Sequence, residues 1–201
     1  DFDGKGGFYY TYSRTGKPSA IYHATAKAFA AAKGRAELME TQVTHLNDSL
    51  ESTVDIRPSE TMWIKGAKDD SVEVFIVKPY GFDPNKKYPL VINVHGGPQM
   101  QWMDSFRPDW QVYPGAGYVV AYPNIHGSTG YGQQFCRDIS GHWGSYPFED
   151  FMKATDKLAQ LAYVDSTRMG AMGWSYGGYF MNWVQGQTKR FKCLASMMGL
   201  F

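Results

Sequence analysis

The feature that most constrains the fold is a serine flanked by glycines at the junction of two apolar segments. In "MGAMGWSYGGYF", residues 169–180, an apolar run leads into Ser175, which lies between Gly173 and Gly177. The run predicts a buried strand, and "YGGYFMNWVQG" predicts a helix that ends near Gly186. A tight strand-to-helix turn leaves little room for side chains beside the serine, which explains the glycines. The segment therefore predicts a nucleophile elbow, with the hydroxyl exposed at a helix N-terminus.

The glycine pattern alone is a weak signal, because the chain has 22 glycines among 201 residues. The surrounding sequence supplies the context. The apolar runs "LVINVHGG", "GYVVAYPN", "RMGAMGWS" and "KCLASMMGL" predict buried strands of a mainly parallel sheet, and "SVEVFIVKP" predicts another strand. Residues 147–162 predict an amphipathic helix with Pro147 in its first turn, and "DSFRPDWQVYPGAG" has room for a short helix. This alternation predicts that residues 58–201 form an α/β domain.

A different pattern precedes residue 58. "GGFYYTYS" and "SAIYHATA" are separated by the turn signal "RTGKP", which predicts a β-hairpin. An alanine-rich, helix-prone stretch at residues 26–32 interrupts the strands before "AELMETQVTH". We therefore expect two domains, with short strands and turns in residues 1–57 and the α/β domain in residues 58–201.

Composition and charge exclude several classes of function. The 20 basic and 19 acidic residues are spread along the chain without a basic block, which argues against nucleic acid as a partner. Cys136 and Cys193 are far apart and predict two buried thiols, and the five histidines never form close pairs that would suggest a metal site. The long uncharged runs at residues 110–136 and 169–188 are broken by Gly and polar residues, so we expect no membrane insertion.

The second constellation is "HGGP", His95 to Pro98, directly after the first apolar strand of the α/β domain. Gly96 and Gly97 would let the backbone approach a substrate carbonyl. In the fold that carries a nucleophile elbow, the residue after the serine and a loop after an earlier strand each donate an N–H to the oxyanion. We therefore expect Tyr176 and Gly97 to form the oxyanion hole. His95, Gly96 and Pro98 are expected in the substrate vicinity.

Several segments resemble successive landmarks of the prolyl oligopeptidase family. They are "YPLVINVHGGPQ", "NIHGSTGYGQQF", "GHWGSYPFED", "VDSTRMGAMGWSYGGYF" and "FKC", and they are most similar to the branch of dipeptidyl-peptidase V and acylaminoacyl-peptidase. The resemblance spans roughly residues 58–201. It implies an α/β-hydrolase catalytic domain preceded by a β-propeller, whose last strands and linker would be residues 1–57.

Carried over by position, the resemblance implies that Ser175 is the nucleophile and that the two backbone amides named above serve the oxyanion. His95 stands where the dipeptidyl-peptidase IV branch has a tyrosine whose hydroxyl serves that hole, so the HGGP form favours backbone donation. His126 stands where the family commonly has arginine, which puts any role of that arginine in doubt here. We interpret Trp143 of "GHWG" as a structural landmark rather than a substrate contact.

The partners of the serine are missing from the sequence. A serine nucleophile needs a base and a carboxylate that orients the base, and in this fold both follow the serine. No Asp, Glu or His follows Ser175. An upstream histidine, His95 or His126, could serve only by breaking the usual order. Because an α/β domain of this kind runs to roughly 250 residues, we expect residues 1–201 to be a fragment that is inactive alone.

These features predict a serine peptidase of dipeptidyl- or acylaminoacyl-peptidase type that hydrolyses short peptides near the N-terminus, without a metal or organic cofactor. Two alternatives stay open: a carboxylesterase or lipase-type hydrolase, and a non-catalytic binding protein of the α/β-hydrolase fold. The sequence also leaves open exo- or endopeptidase action, a homodimer of the full-length enzyme, and a cytoplasmic, periplasmic or secreted location.

Overall fold

The computed structural model describes residues 1–26 and 38–200, and the chain divides into two compact units. The first unit comprises Asp1–Pro58 together with Asp104–Arg107, and the second comprises Ser59–Met103 and Pro108–Phe201. Of the predicted helix-prone stretch, residues 27–32 lie outside the described residues, and Ala26 is the last residue of a strand.

The first unit is built on a small antiparallel sheet in the order β1-β2-β3. Its elements are β1 (Gly7–Arg14), β2 (Lys17–Ala26), β3 (Leu38–Gln42) and the short helix α1 (Asp48–Thr53). β1 and β2 pair as the predicted hairpin. The carboxylate of Asp104 accepts hydrogen bonds from the N–H of Thr15, at 2.9 Å, and from its hydroxyl, at 2.8 Å. This contact at the hairpin turn joins residues 104–107 to the first unit.

The second unit contains a six-stranded sheet in the order β4-β5-β7-β6-β8-β9. The strands are β4 (Ser59–Lys65), β5 (Ser71–Val77), β6 (Tyr88–Val94), β7 (Val119–Pro123), β8 (Val164–Trp174) and β9 (Cys193–Met197). The prediction of parallel pairing holds from β7 to β9, but β4, β5 and β7 pair antiparallel, so the sheet is mixed. β4 was not predicted. It reaches β5 through a short turn, which only antiparallel neighbours can use.

Helices connect the strands of this unit. They are α2 (Asp109–Gly115), α3 (Gln133–Arg137), α4 (Tyr146–Ala159) and α5 (Tyr176–Gln187). α4 is the amphipathic helix predicted at residues 147–162; Pro147 lies in its first turn, and it ends three residues earlier than predicted. Phe151 on its buried face packs edge-on against Phe180 of α5, with ring centroids 5.3 Å apart. None of the helices in the described residues is long and apolar enough to cross a membrane.

The core lies on both faces of the central strands. Val119 and Ala121 of β7 point into the cluster beneath α4 and α5, and Val120 and Tyr122 point into a second cluster with Trp110. This alternation is the side-chain period of a strand, and it confirms the prediction that β7 is buried on both faces. Full burial of each such aliphatic side chain stabilises the fold by about 1.5–3 kcal/mol.

Two predictions about burial were wrong. β9 was expected to be a buried strand, but Cys193, Ala195, Ser196 and Met197 are all exposed. The reason is that β9 lies at the edge of the described sheet and pairs with β8 alone. The same edge position exposes the Cys193 thiol, and Cys136 is only half-buried, so the cysteines are not the two buried thiols that the sequence suggested.

Candidate active site

Ser175 occupies a strained turn between strand β8 and helix α5. Its backbone has φ +58° and ψ −115°, a combination that costs a non-glycine residue of order 1–3 kcal/mol. Hydrogen bonds on both sides hold the turn in place. The N–H of Ser175 donates to the carbonyl of Met197 at 2.9 Å, and its own carbonyl accepts from Tyr179 at 3.0 Å. The serine is thereby fixed at the N-terminus of α5.

The glycines around the serine are required by close backbone approach. A Cβ added to Gly173 would overlap the backbone of Gly177, and a Cβ added to Gly177 would overlap the carbonyl oxygen of Val94 at the end of β6. A side chain at either position would force the helix away from the strand. The spacing that the sequence showed is therefore a packing requirement of the turn.

The backbone of the HGGP segment lies directly against the serine. A Cβ built on Gly96 would stand 3.2 Å from Cβ and 3.8 Å from Oγ of Ser175. Gly97 has φ +112°, a conformation that favours glycine, and it is exposed, whereas Pro98 is buried. Ser175 is half-buried, and its hydroxyl has no hydrogen-bond partner among residues 1–26 and 38–200. The structure thus brings together two segments that are about 80 positions apart in the sequence.

Tyr176 is the first residue of α5, so its amide N–H has no acceptor inside the helix. Its side chain is fully buried and donates its phenol proton to the carbonyl oxygen of Trp143 at 2.8 Å. Burial raises the pKa of Tyr176, which keeps the phenol protonated as a donor. The Trp143 ring packs edge-on against the Tyr176 ring at 5.4 Å. These contacts agree with the interpretation of Trp143 as a structural landmark.

His95 is buried behind the same loop. Its Nδ1 lies 2.7 Å from the carbonyl oxygen of Gly96, and its Nε2 lies 2.7 Å from Oγ of Ser128. Burial lowers the pKa of His95, and both of its partners are uncharged. Only 2% of the residue is exposed, which leaves the imidazole no surface for a substrate. Because both ring nitrogens are engaged elsewhere, His95 has no contact through which it could act as the base of Ser175.

His126 is also buried, but its partners are carboxylates. Nδ1 lies 2.6 Å from Oδ2 of Asp150, and Nε2 lies 3.3 Å from Oδ2 of Asp70. Asp150 further accepts the amide protons of Ala67 and His126, each at 2.7 Å. Burial on its own would lower the pKa of His126, but the hydrogen bonds and charges of Asp150 and Asp70 outweigh it, and the pKa is raised. His126 therefore links the carboxylates of Asp150 and Asp70 in this loop.

Asp150 is the residue of this region that the sequence analysis missed. It is fully buried on α4, in line with the buried Ala154 and Leu158 at helical spacing. A carboxylate within the apolar face of an amphipathic helix is a detectable signal, because buried charges almost always have a partner. The signal does not identify that partner, since His126 lies 24 positions away.

One group of side chains could offer ligands to a metal ion. One ligand atom from each of Asp70, His126 and Asp138 lies within 4.8 Å of the others. The Nζ of Lys68, however, lies 2.5 Å from Oδ2 of Asp138, and Nδ1 of His126 is already engaged by Asp150. These groups already have partners within the protein, and we assign no metal to the cluster.

A cavity of about 600 Å³ lies elsewhere in the second unit, along strands β6, β8 and β9. Its lining is largely apolar and includes Val91, Tyr113, Met172 and Cys193. Neither Ser175 nor the HGGP segment borders it. This cavity is therefore not an apolar pocket beside the serine.

Comparison with known proteins identifies the family to which the chain is similar. Residues 104–201 match the family model described as the prolyl oligopeptidase family. The dipeptidyl-peptidase 5 of Schizosaccharomyces pombe is 40% identical over 168 residues, which cover 79% of this chain and 25% of that protein. The dipeptidyl-peptidase 5 of Trichophyton schoenleinii is 43% identical over 147 residues, which cover 71% of this chain and 20% of that protein.

Solved structures lead to the same family. An acylaminoacyl peptidase in complex with Z-Gly-Gly-Phe-chloromethyl ketone matches with a TM-score of 0.84 and 25% identity, over 100% of this chain and 30% of that chain. The uncomplexed acylaminoacyl peptidase of Pyrococcus horikoshii matches with a TM-score of 0.81 and 25% identity, over 96% of this chain and 29% of that chain. The chain spans a quarter or less of the length of the two curated relatives above. The second unit has the α/β-hydrolase fold of these peptidases, and the chain belongs to the prolyl oligopeptidase family.

Proposed function

We propose that the protein is a serine peptidase that forms an acyl-enzyme on Ser175. The observation that carries the proposal is the serine itself: it is held at positive φ at the start of a helix, and its unpaired hydroxyl lies beside the backbone of Gly96. A strained residue that the surrounding structure maintains is a feature of functional sites. An ordinary glycine-rich turn would have no need of that strain.

In the proposed mechanism, Oγ of Ser175 attacks the carbonyl carbon of the scissile peptide bond while a base takes its proton. The oxygen of the tetrahedral intermediate accepts hydrogen bonds from the amides of Tyr176 and Gly97, each worth roughly 3–4 kcal/mol of barrier. Collapse breaks the C–N bond, and the leaving amine takes the proton from the base. Water then hydrolyses the acyl ester and restores the serine.

The mechanism requires a base, and no side chain in residues 1–26 and 38–200 makes a hydrogen bond to Oγ of Ser175. His95 and His126 have both ring nitrogens engaged by other groups, and no histidine follows the serine. The proposal therefore assigns the base and its carboxylate to a part of the protein outside this chain. The curated relatives are about four to five times as long as the stretch they share with it, which leaves room for such residues.

We further propose short peptides as substrates, cleaved near the N-terminus in the manner of a dipeptidyl- or acylaminoacyl-peptidase. The names of the relatives support this: dipeptidyl-peptidase 5 for the sequences and acylaminoacyl peptidase for the structures. As part of the same proposal, residues 1–57 are the last strands and linker of a β-propeller, and residues 58–201 are the N-terminal part of the catalytic domain. The antiparallel sheet of the first unit is compatible with a propeller blade.

The test is Ser175→Ala in the complete protein that the gene encodes, with Ser166→Ala as a matched control. Ser166 is an exposed serine on β8, upstream of the elbow. Loss of the nucleophile of a triad enzyme costs about a millionfold in kcat, so Ser175→Ala should abolish hydrolysis of aminoacyl nitroanilides. A fluorophosphonate should label Ser175 in the wild type and in the control. Retention of a tenth of the activity by Ser175→Ala would show that another residue is the nucleophile.

Substrate class is tested separately on the wild-type protein. Mass spectrometry of a digested peptide library should show cuts near peptide N-termini, and casein should stay intact. The value of kcat/KM for peptides is compared with that for p-nitrophenyl esters. Turnover of esters without peptides would make the protein an esterase, and rapid internal cutting of casein would overturn the proposed preference for short peptides.

A further inference from the structure

His95 is held on both sides although it contacts neither solvent nor Ser175. Its two ring nitrogens each lie 2.7 Å from a partner, the carbonyl of Gly96 and the hydroxyl of Ser128. The ring of Trp102 lies edge-on to the imidazole, with centroids 5.7 Å apart. Rotation of the ring would break both hydrogen bonds and disturb this packing. The imidazole is therefore a fixed point next to a loop of two glycines.

The group that His95 holds includes the proposed oxyanion donor. The carbonyl of Gly96 and the N–H of Gly97 belong to one peptide group, which is trans. In a planar trans peptide, the C=O and N–H bonds point in opposite directions. A donor that holds the Gly96 oxygen thus also sets the direction of the Gly97 N–H, away from the imidazole. Consecutive glycines have the freest backbone of any residues, so this plane needs an external hold.

The proton of His95 can be placed from its partners. A carbonyl only accepts, so the contact with Gly96 requires a proton on Nδ1. A neutral imidazole then leaves Nε2 as an acceptor for the Ser128 hydroxyl. The Ser128 hydroxyl also lies 2.7 Å from the carbonyl oxygen of Ile125, and its single proton can be donated to only one of these two acceptors. The Gly96 carbonyl therefore places the proton on Nδ1, and the Ser128 hydroxyl can donate to the remaining nitrogen, Nε2.

We propose that His95 is a positioning residue for catalysis: its Nδ1–H fixes the peptide plane between Gly96 and Gly97, and thereby aims the Gly97 N–H at the oxyanion. Ser128 supports it through its contact with Nε2, which holds the far side of the ring. This inference rests on the proposed function, because it requires Gly97 to serve an oxyanion formed at Ser175. It assigns His95 no contact with the substrate and no proton transfer.

The test compares two amide substitutions in the complete protein. The side-chain amide of His95→Asn can occupy the place of Nδ1 and donate to Gly96, whereas the amide of His95→Gln reaches the place of Nε2. We expect His95→Asn to keep kcat within about threefold of the wild type. His95→Gln should lower kcat about ten- to a hundredfold, somewhat less than complete loss of an oxyanion donor, with KM within about twofold.

A second readout uses a peptidyl boronic acid, which forms a tetrahedral adduct with the serine and presents an oxygen to the oxyanion hole. Its affinity should fall in His95→Gln by the same factor as kcat, and should stay near the wild-type value in His95→Asn. Folded, active enzyme is counted by titration with a fluorophosphonate, so that unfolded protein does not enter kcat. If His95→Gln cannot be obtained folded, Ser128→Ala replaces it, with an expected three- to tenfold loss in kcat.

Equal kcat losses in the two amide variants, or a loss confined to KM, would overturn the positioning role. So would boronate affinity that does not follow kcat. Failure of the proposed function looks different, because Ser175→Ala would then retain turnover. If Ser175→Ala is inactive and His95→Gln has the kcat of the wild type, Ser175 is the nucleophile and only the positioning role of His95 is wrong.

Discussion

The loops that follow the neighbouring strands β6 and β7 each carry a buried histidine, and the pKa values of the two shift in opposite directions. His95 lies between a carbonyl and a hydroxyl, and burial lowers its pKa. His126 is as deeply buried, but two carboxylates raise its pKa despite the cost of burial. The comparison teaches that depth alone does not determine the protonation of a histidine, and that its partners do.

The difference fits the role proposed for the first loop and the contacts that the second loop makes. A neutral histidine can orient a peptide plane next to Ser175 without adding a charge to the site. His126 ties together the turn before β5, through Asp70, and the helix α4, through Asp150. The first loop is thus suited to present backbone donors, and the second to hold the end of the sheet in shape.

The largest effect is expected at Asp150, which carries the ion pair of the second loop. Asp150→Asn leaves His126 buried without its main counter-charge, and removal of one partner from a buried pair costs about 3–5 kcal/mol. Asp156→Asn on the same helix is the control. Its ion pair with Arg190 is on the surface, with 57% of the Asp156 side chain exposed, so a loss below about 1 kcal/mol is expected. Urea denaturation measures the free energy of unfolding of both variants. Similar losses of stability in Asp150→Asn and Asp156→Asn would contradict the comparison.

The next effect is a dependence of stability on pH, with opposite signs for the two histidines. Since the folded pKa of His126 is raised, its stabilisation is complete below about pH 6.5 and is lost as pH rises through the folded value. Since the folded pKa of His95 is lowered, its contribution is present above about pH 6.5 and is lost as pH falls. One group changes the free energy of unfolding by at most about 1.4 kcal/mol per pH unit.

Side-chain NMR of labelled histidines measures the two titrations directly. Urea denaturation at each pH gives the free energy of unfolding. Its dependence on pH should become weaker above pH 6.5 in His126→Gln, and weaker below pH 6.5 in His95→Asn. If the pKa values of both histidines shifted in the same direction, the comparison would fail, because the different partners would then have no opposite effects on the two residues.

The smallest effect is expected for Asp70→Asn. Asp70 also pairs with His126, but at 3.3 Å and with 46% of its side chain exposed. Solvent screens such a contact, so its removal should cost less than about 1 kcal/mol. The measurement is the same urea denaturation that is used for Asp150→Asn. If Asp70→Asn lost as much stability as Asp150→Asn, the two carboxylates would stabilise His126 equally.

The parts of the site that could be predicted from the sequence are local. The apolar run into Ser175, the spacing of Gly173 and Gly177, and the helix after them lie within about 20 consecutive residues, where steric rules act on neighbours. β4 and the antiparallel half of the sheet were missed, because the direction of strand pairing depends on the connection and not on the strand itself. The exposure of β9 likewise depends on what pairs with it.

The sequence by itself determined the elbow, the α/β class of the second unit and the resemblance to the family, because each rests on residue types at fixed short spacing. Only the tertiary structure decided the state of the two histidines. Their partners Ser128 and Asp150 lie 33 and 24 positions away, and nothing in the local sequence distinguishes a hydroxyl from a carboxylate as the group that will arrive. A buried ionisable group responds to its few nearest atoms, and the fold of the whole unit chooses those atoms.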